Sequence, residues 1–125
     1  WAADMLSDLE PPFVAQGLAA YERTLARLSA LEIGLLIPGH GSPTADAGEI
    51  RARFAEDRAY LAALRERVER AVRDGRTVEE TVALCADVRY RRPGENAAAH
   101  RLNVESAYLE LGGAADPARV GWDRV

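Results

Sequence analysis

A histidine framed by glycines, in Pro38-Gly39-His40-Gly41, is the residue of this chain best suited to do chemistry. Neutral imidazole is the commonest metal ligand among side chains, and this one follows directly on the apolar run Ile33-Gly34-Leu35-Leu36-Ile37. A short branched-aliphatic run bounded by proline and glycine reads as a strand buried on both faces, over about Glu32 to Ile37. The glycines then let the backbone turn sharply. His40 is therefore expected on a tight loop at a strand's C-terminal edge, where ligands of α/β proteins usually bind. Taken alone, the tetrapeptide reads more simply as a turn that happens to carry a histidine.

The other reactive side chains point to less. Cys85 is the lone cysteine, so neither an internal disulfide nor a cysteine zinc cluster can form. Next to Val82 on an apolar helix face, it reads as a small buried hydrophobe. Arg89, Arg91 and Arg92 make the one tight basic cluster, best read as a solvated loop before Pro93. The net charge of −4 argues against a nucleic-acid partner, whose phosphates demand a clustered basic face. All sixteen basic residues are arginine, which fits a GC-rich coding bias and says nothing of function. No segment approaches a membrane span and no basic-then-apolar signal is present, so the expectation is a cytoplasmic protein without a membrane partner. The chain opens on Trp1 rather than methionine, which suggests a longer parent.

Stepping outward from His40, the elements that must position it follow from periodicity. At 125 residues, 48% of them hydrophobic and 29% charged, the chain fits one globular domain. From Phe13 onward Leu18, Tyr21, Leu25 and Leu28 form the stripe of an amphipathic helix, with Pro11-Pro12 leading into it. After the strand and the glycine turn comes Ser42-Pro43-Thr44 and then a long helix. Ile50, Phe54, Leu61, Leu64, Val68 and Val72 mark its buried face, and Glu66/Arg70 and Glu69/Arg73 pair on the other. Gly75 after Asp74 is the expected stop.

Thr77 followed by Glu80 has the form of a capping box, predicting a short helix to about Asp87. Tyr90 to Glu95 reads as a loop and Ala97 to Leu111 as a final helix halted by Gly112-Gly113. The divisions are thus a truncated strand and loop (1–12), a helix, strand and PGHG turn (13–44), a helical region (45–113) and a tail (114–125). The strand poses a difficulty. A strand buried on both faces needs neighbours for its hydrogen bonds, and only Trp1 to Asp4 could supply one. Another copy of the chain, or a missing N-terminal half, is expected to complete the sheet.

With strand, PGHG turn and long following helix in this order, the chain resembles the C-terminal portion of a metallo-β-lactamase-fold hydrolase. Ala3-Asp4-Met5-Leu6 is similar to the family's strand-end Gly-Asp or Ala-Asp pair, whose carboxylate bridges two metal ions. Pro11-Pro12-Phe13 and Tyr21 to Leu31 match the proline tract and helix that follow. His40 stands where the PGHG loop supplies a final histidine ligand, and Arg101 to Leu111 resembles a C-terminal helix of single-domain members. The resemblance implies an α/β fold, the C-terminal half of an αββα sandwich that is mostly helical in this portion with one or two strands. It also implies Asp4 and His40 as metal ligands. Asp4 is equally readable as a cap for the turn before Met5.

The departures matter as much. The family's upstream His-x-His-x-Asp-His motif and its intervening histidine are absent. His100, beside Arg101 on the last helix, reads as structural or solvent-exposed. A hydrolytic zinc site normally takes three protein ligands around an open position, and two do not make one. The implied parent uses a two-metal centre, with zinc the usual occupant and iron or manganese the alternatives, to activate water against a small ester, thioester, lactone or β-lactam. The isolated chain is expected to be inactive. The competing expectation is a non-catalytic helical interaction or dimerisation module, which would keep the strand–turn–helix without a metal.

Overall fold

The computed structural model describes residues 1–15 and 17–115. These residues form four helices: α1 (Leu18–Ser29), α2 (Ala47–Arg73), α3 (Val78–Leu84) and α4 (Pro93–Glu110). The long helix α2 packs against the other three. Along its apolar stripe Leu61, Leu64, Val68 and Ala71 are sealed from solvent, and the first three share one core with Leu18 and Leu25 of α1 and Val104 and Ala107 of α4. Among the described residues there is no strand and no sheet, and this overturns the α/β sandwich expected from sequence.

The reason lies in the segment 32–37. It makes one antiparallel bridge, Leu36 to Thr44, and no ladder. Leu36 is buried while Leu35 is 55% exposed, so one face is covered where two were expected. Leu36 instead joins the core of the helices together with the loop residues Leu6 and Val14. On the far side, Ala2 donates to the Ile37 carbonyl at 2.9 Å and Gly39 donates to that of Ala3 at 2.5 Å. Ala3, however, turns left-handed (φ 48°) and the Met5 N–H folds back to Ala2, which stops pairing after those two bonds. Residues 1–12 are therefore a loop rather than a truncated strand.

Local chemistry sets the helix ends. Asp46 caps α2 by accepting from the Glu49 N–H at 2.7 Å. Gly75, left-handed at φ 68°, closes it with Arg76 N–H on the Ala71 carbonyl. On the surface of α2 Arg70 pairs with Glu66, but Glu69 pairs with Arg65 rather than with the expected Arg73. Both bonds of the Thr77–Glu80 capping box form. That helix ends at Leu84, three residues short of expectation, with Cys85 as its buried C-cap.

Two starts differ from the sequence reading. Helix α4 begins at Pro93 instead of Ala97, because proline at the first position has its φ already set and no N–H to satisfy; a kink at Asn96 follows. Helix α1 begins at Leu18, five residues after Phe13. Its first N–H groups are met from a distance by Glu110 of α4, whose carboxylate accepts from Leu18 at 2.5 Å and Ala19 at 3.0 Å. No described helix is long and apolar enough to cross a membrane. Of the tail, residues 116–125 lie outside the described residues.

Candidate metal centre

Two loops build the site, and each is held from behind by helices. The first, residues 2–12, is pegged by side chains that reach its main-chain carbonyls. Arg53 of α2 donates to Leu6 at 3.2 Å, Asn96 of α4 to Leu9 at 2.8 Å, Arg91 to Glu10 at 3.4 Å and Asn103 to Pro12 at 2.6 Å. Within it, Ala3 and Leu6 both adopt positive φ, at 48° and 58°. A left-handed conformation costs an L-residue with a side chain roughly 1–2 kcal/mol. Asp4 and Met5 sit between these two strained positions.

The second loop is the PGHG turn, closed at its base by paired Leu36–Thr44 hydrogen bonds of 2.8 and 2.9 Å. Its tip is fixed to the first loop twice, through Gly39 to Ala3 and through Ser42, whose N–H donates to Asp8 Oδ1 at 2.8 Å. Partial burial pushes the Asp8 carboxyl up, but the Ser42 hydrogen bonds, its own N–H and the Arg53 guanidinium together hold it below the usual range. Both glycines are required by proximity. A Cβ on Gly39 would stand 2.9 Å from the Ala3 oxygen and 3.2 Å from Asp4 Oδ1. Gly41 has φ 110°, and a Cβ there would collide with the Asp8 carboxylate. Gly41→Ala is therefore expected to open the turn, at a cost of roughly 1–3 kcal/mol. Displaced amide resonances of residues 38–42, together with a lowered urea midpoint, check it.

The two residues singled out from sequence come together here. His40 Nδ1 lies 4.0 Å from Asp4 Oδ1, and their side chains are 62% and 78% exposed. A third group joins them that the sequence reading missed: Glu10 Oε2 is 3.1 Å from the same nitrogen. Glu10 belongs to an acidic series with Asp4 and Asp8 just before Pro11-Pro12, which is the signal that could have found it. Imidazole with carboxylate is a donor set that suits zinc, iron or manganese, so Asp4 and His40 fit such an ion in chemistry. In number they fall short: among the described residues no group of three or more His, Cys, Asp or Glu side chains is arranged to hold a metal.

Beneath the site Arg53, 3% exposed, is clamped by Glu49 at 2.5 Å. Glu49 is in turn tied to Thr44 at the base of the turn. Beside it Arg91 grips Asp57 at 2.6 Å. A cavity of about 590 Å³ runs between α2 and residues 87–91, lined by Pro11, Pro12, Tyr60, Val88 and Tyr90 among others, and none of Asp4, Glu10 and His40 borders it.

His100 and Cys85 stand apart from the site, inside the helical core. The His100 ring stacks on Tyr90 with centroids 4.4 Å apart. Its Nε2 is 3.0 Å from the Cys85 carbonyl, an acceptor only, so that nitrogen carries the hydrogen and Nδ1 accepts from the Tyr60 hydroxyl at 3.0 Å. Burial lowers the His100 pKa, against a smaller upward pull from the Cys85 bond. A depressed imidazole contributes stability that is complete above its unfolded value near 6.5 and is lost as pH falls through the folded value. Unfolding free energy is thus expected to drop between about pH 7 and pH 5. The drop should be shallower in His100→Phe, as urea titrations at the two pH values would show.

No family model, curated protein or solved structure matches this chain.

Proposed function

We propose that Asp4 and His40 are two ligands of a metal-dependent hydrolase centre whose remaining ligands come from protein outside this sequence. The observation that carries the reading is the meeting of carboxylate and imidazole 4.0 Å apart across two loops. Those loops are locked by the Gly39–Ala3 hydrogen bond and by strained backbone on either side of Asp4. A bound metal supplies a lowered pKa for water and polarises a carbonyl oxygen, the chemistry that cleaves an ester, thioester, lactone or β-lactam. The chain's own part is to present the two donors on a turn that cannot swing away, because Ser42 and Gly39 pin it. By this reading the chain alone is inactive.

The test adds what is missing. The isolated chain should retain substoichiometric zinc after dialysis, by elemental analysis. Joined to a preceding segment that carries His-x-His-x-Asp-His, it should load metal and hydrolyse an ester, and Asp4→Asn and His40→Ala should each abolish that activity. Stoichiometric, tightly held zinc on the chain alone would show the ligand count to be wrong. A preceding coding sequence without the histidine motif would sink the hydrolase reading. It would favour the second reading, an interaction module that self-associates, for which Leu31 and Leu35, both more than half exposed, are the supporting observation. Under that reading light scattering gives a dimer that Leu35→Lys dissociates.

A further inference from the structure

We propose that the cavity between α2 and residues 87–91 binds a small aromatic carboxylate, with its ring between the two prolines and Tyr90 and its charge on Arg89. This place is separate from the two loops, since none of Asp4, Glu10 and His40 borders it. At about 590 Å³ it falls among small-molecule sites, which span roughly 300–1,000 Å³. The hollow follows from the sequence of α2. Glu56, Ala59, Tyr60, Ala63 and Arg67 recur at steps of three and four and so share one face of the helix. Alanine at 59 and 63 keeps that face low, while Pro11, Pro12 and Val88 supply the other apolar walls.

The aromatic walls are set before any ligand arrives. Tyr60 is buried and its hydroxyl is used up, donating to His100 Nδ1 at 3.0 Å and accepting from Asn103 at 2.9 Å. What it offers the cavity is therefore its ring. Tyr90 is stacked on His100 and meets Tyr60 edge-on, with centroids 6.2 Å apart. Rings held in these geometries present edges and faces to a third ring. A wall already in place also spares the ligand the cost of ordering it.

Charge pairing around the cavity decides which polar group the ring carries. Three arginines and three carboxylates line it, so no net charge draws a ligand in. Their pairing, however, is uneven. Arg91 is taken by both Glu56 and Asp57, at 2.9 and 2.6 Å, and Arg67 by Asp87 at 2.8 Å. Every carboxylate of the lining thus has a guanidinium already. The Arg89 side chain is exposed and makes no ion pair or hydrogen bond with the described residues. A cationic ligand would find each acid occupied, whereas a carboxylate matches the planar fork of Arg89 with two parallel hydrogen bonds.

Amide NMR of the whole chain, titrated with hydrocinnamate and separately with its uncharged amide, tests both halves of the proposal. Hydrocinnamate should give saturable shifts at Ala59, Ala63, Val88, Arg89 and Tyr90 with a Kd of about 1 mM, as befits so small a probe. The amide should shift the same residues and bind about three- to fivefold more weakly, the worth of one exposed ion pair. Arg89→Gln should erase that difference while the ring still binds. Ala59→Leu, at an exposed helical position, should stay folded by far-UV circular dichroism and weaken both probes by obstructing the cavity. Absence of saturable shifts at these amides, at tenfold the expected Kd, would overturn the proposal. So would equal binding of acid and amide to the wild type, or a preference for the acid that survives Arg89→Gln.

Discussion

Arg91→Ala should be the most damaging single substitution in the scaffold, lowering the unfolding free energy by about 3–5 kcal/mol at neutral pH. Asp57, 1% exposed, depends on the Arg91 guanidinium at 2.6 Å for its charge. Removing that partner strands a carboxylate in the interior and also releases the Glu10 carbonyl. The pH dependence identifies the cause. Burial already raises the Asp57 pKa, against the opposing hydrogen bond from Arg91, and without Arg91 it rises further. A carboxyl with a folded pKa above its unfolded one holds its proton better when folded, so its contribution is lost as pH rises through the folded value. The deficit of Arg91→Ala relative to wild type should therefore be smaller at about pH 4.5 than at about pH 7. Urea unfolding at both values measures it. An equal deficit at both would mean that the effect is lost packing rather than a stranded charge.

Asn103→Ala follows, at a cost of about 3 kcal/mol or more, because one buried side chain serves three partners. Its Oδ1 accepts from the Val14 N–H at 2.9 Å, while its Nδ2 donates to the Pro12 carbonyl and to the Tyr60 hydroxyl at 2.6 and 2.9 Å. Truncation leaves a backbone donor and a backbone acceptor buried without partners. It also frees the segment leading into α1. Asn103→Asp should be nearly as harmful, since a carboxylate can accept from Val14 but cannot donate to Pro12 or Tyr60. Thermal unfolding gives the magnitude, and amide exchange at Val14 localises it. A Val14 amide as protected in Asn103→Ala as in wild type would contradict the argument.

The parts of this fold governed by neighbours in sequence were readable. The stripe from Ile50 to Val72, the Thr77–Glu80 box and the Gly75 stop all depend on residues three or four positions apart. Where a partner is remote, the sequence misled. The start of α1 depends on Glu110, some ninety residues away, and the apolar run Ile33 to Ile37 looked like a buried strand because nothing local says whether neighbours exist to pair with it. Composition cannot distinguish one bridge from a sheet. The turn that carries His40 was legible from its glycines, and its approach to Asp4 was expected only through resemblance. Glu10 was overlooked because its relation to His40 exists only once the Gly39 and Ser42 contacts bring thirty residues of chain back on itself.

The four pegs on the first loop carry a consequence for how this surface can change over generations. Arg53, Asn96, Arg91 and Asn103 grip the carbonyls of Leu6, Leu9, Glu10 and Pro12, and a carbonyl is the same whatever side chain it belongs to. Exchanges at Leu9 or Glu10 leave every peg seated. Two helices and the Arg91 loop thus work as a jig for a replaceable edge: the side chains at Leu9 and Glu10 can be rewritten around His40, while Asp8, which holds the turn through Ser42, stays tied to the fold.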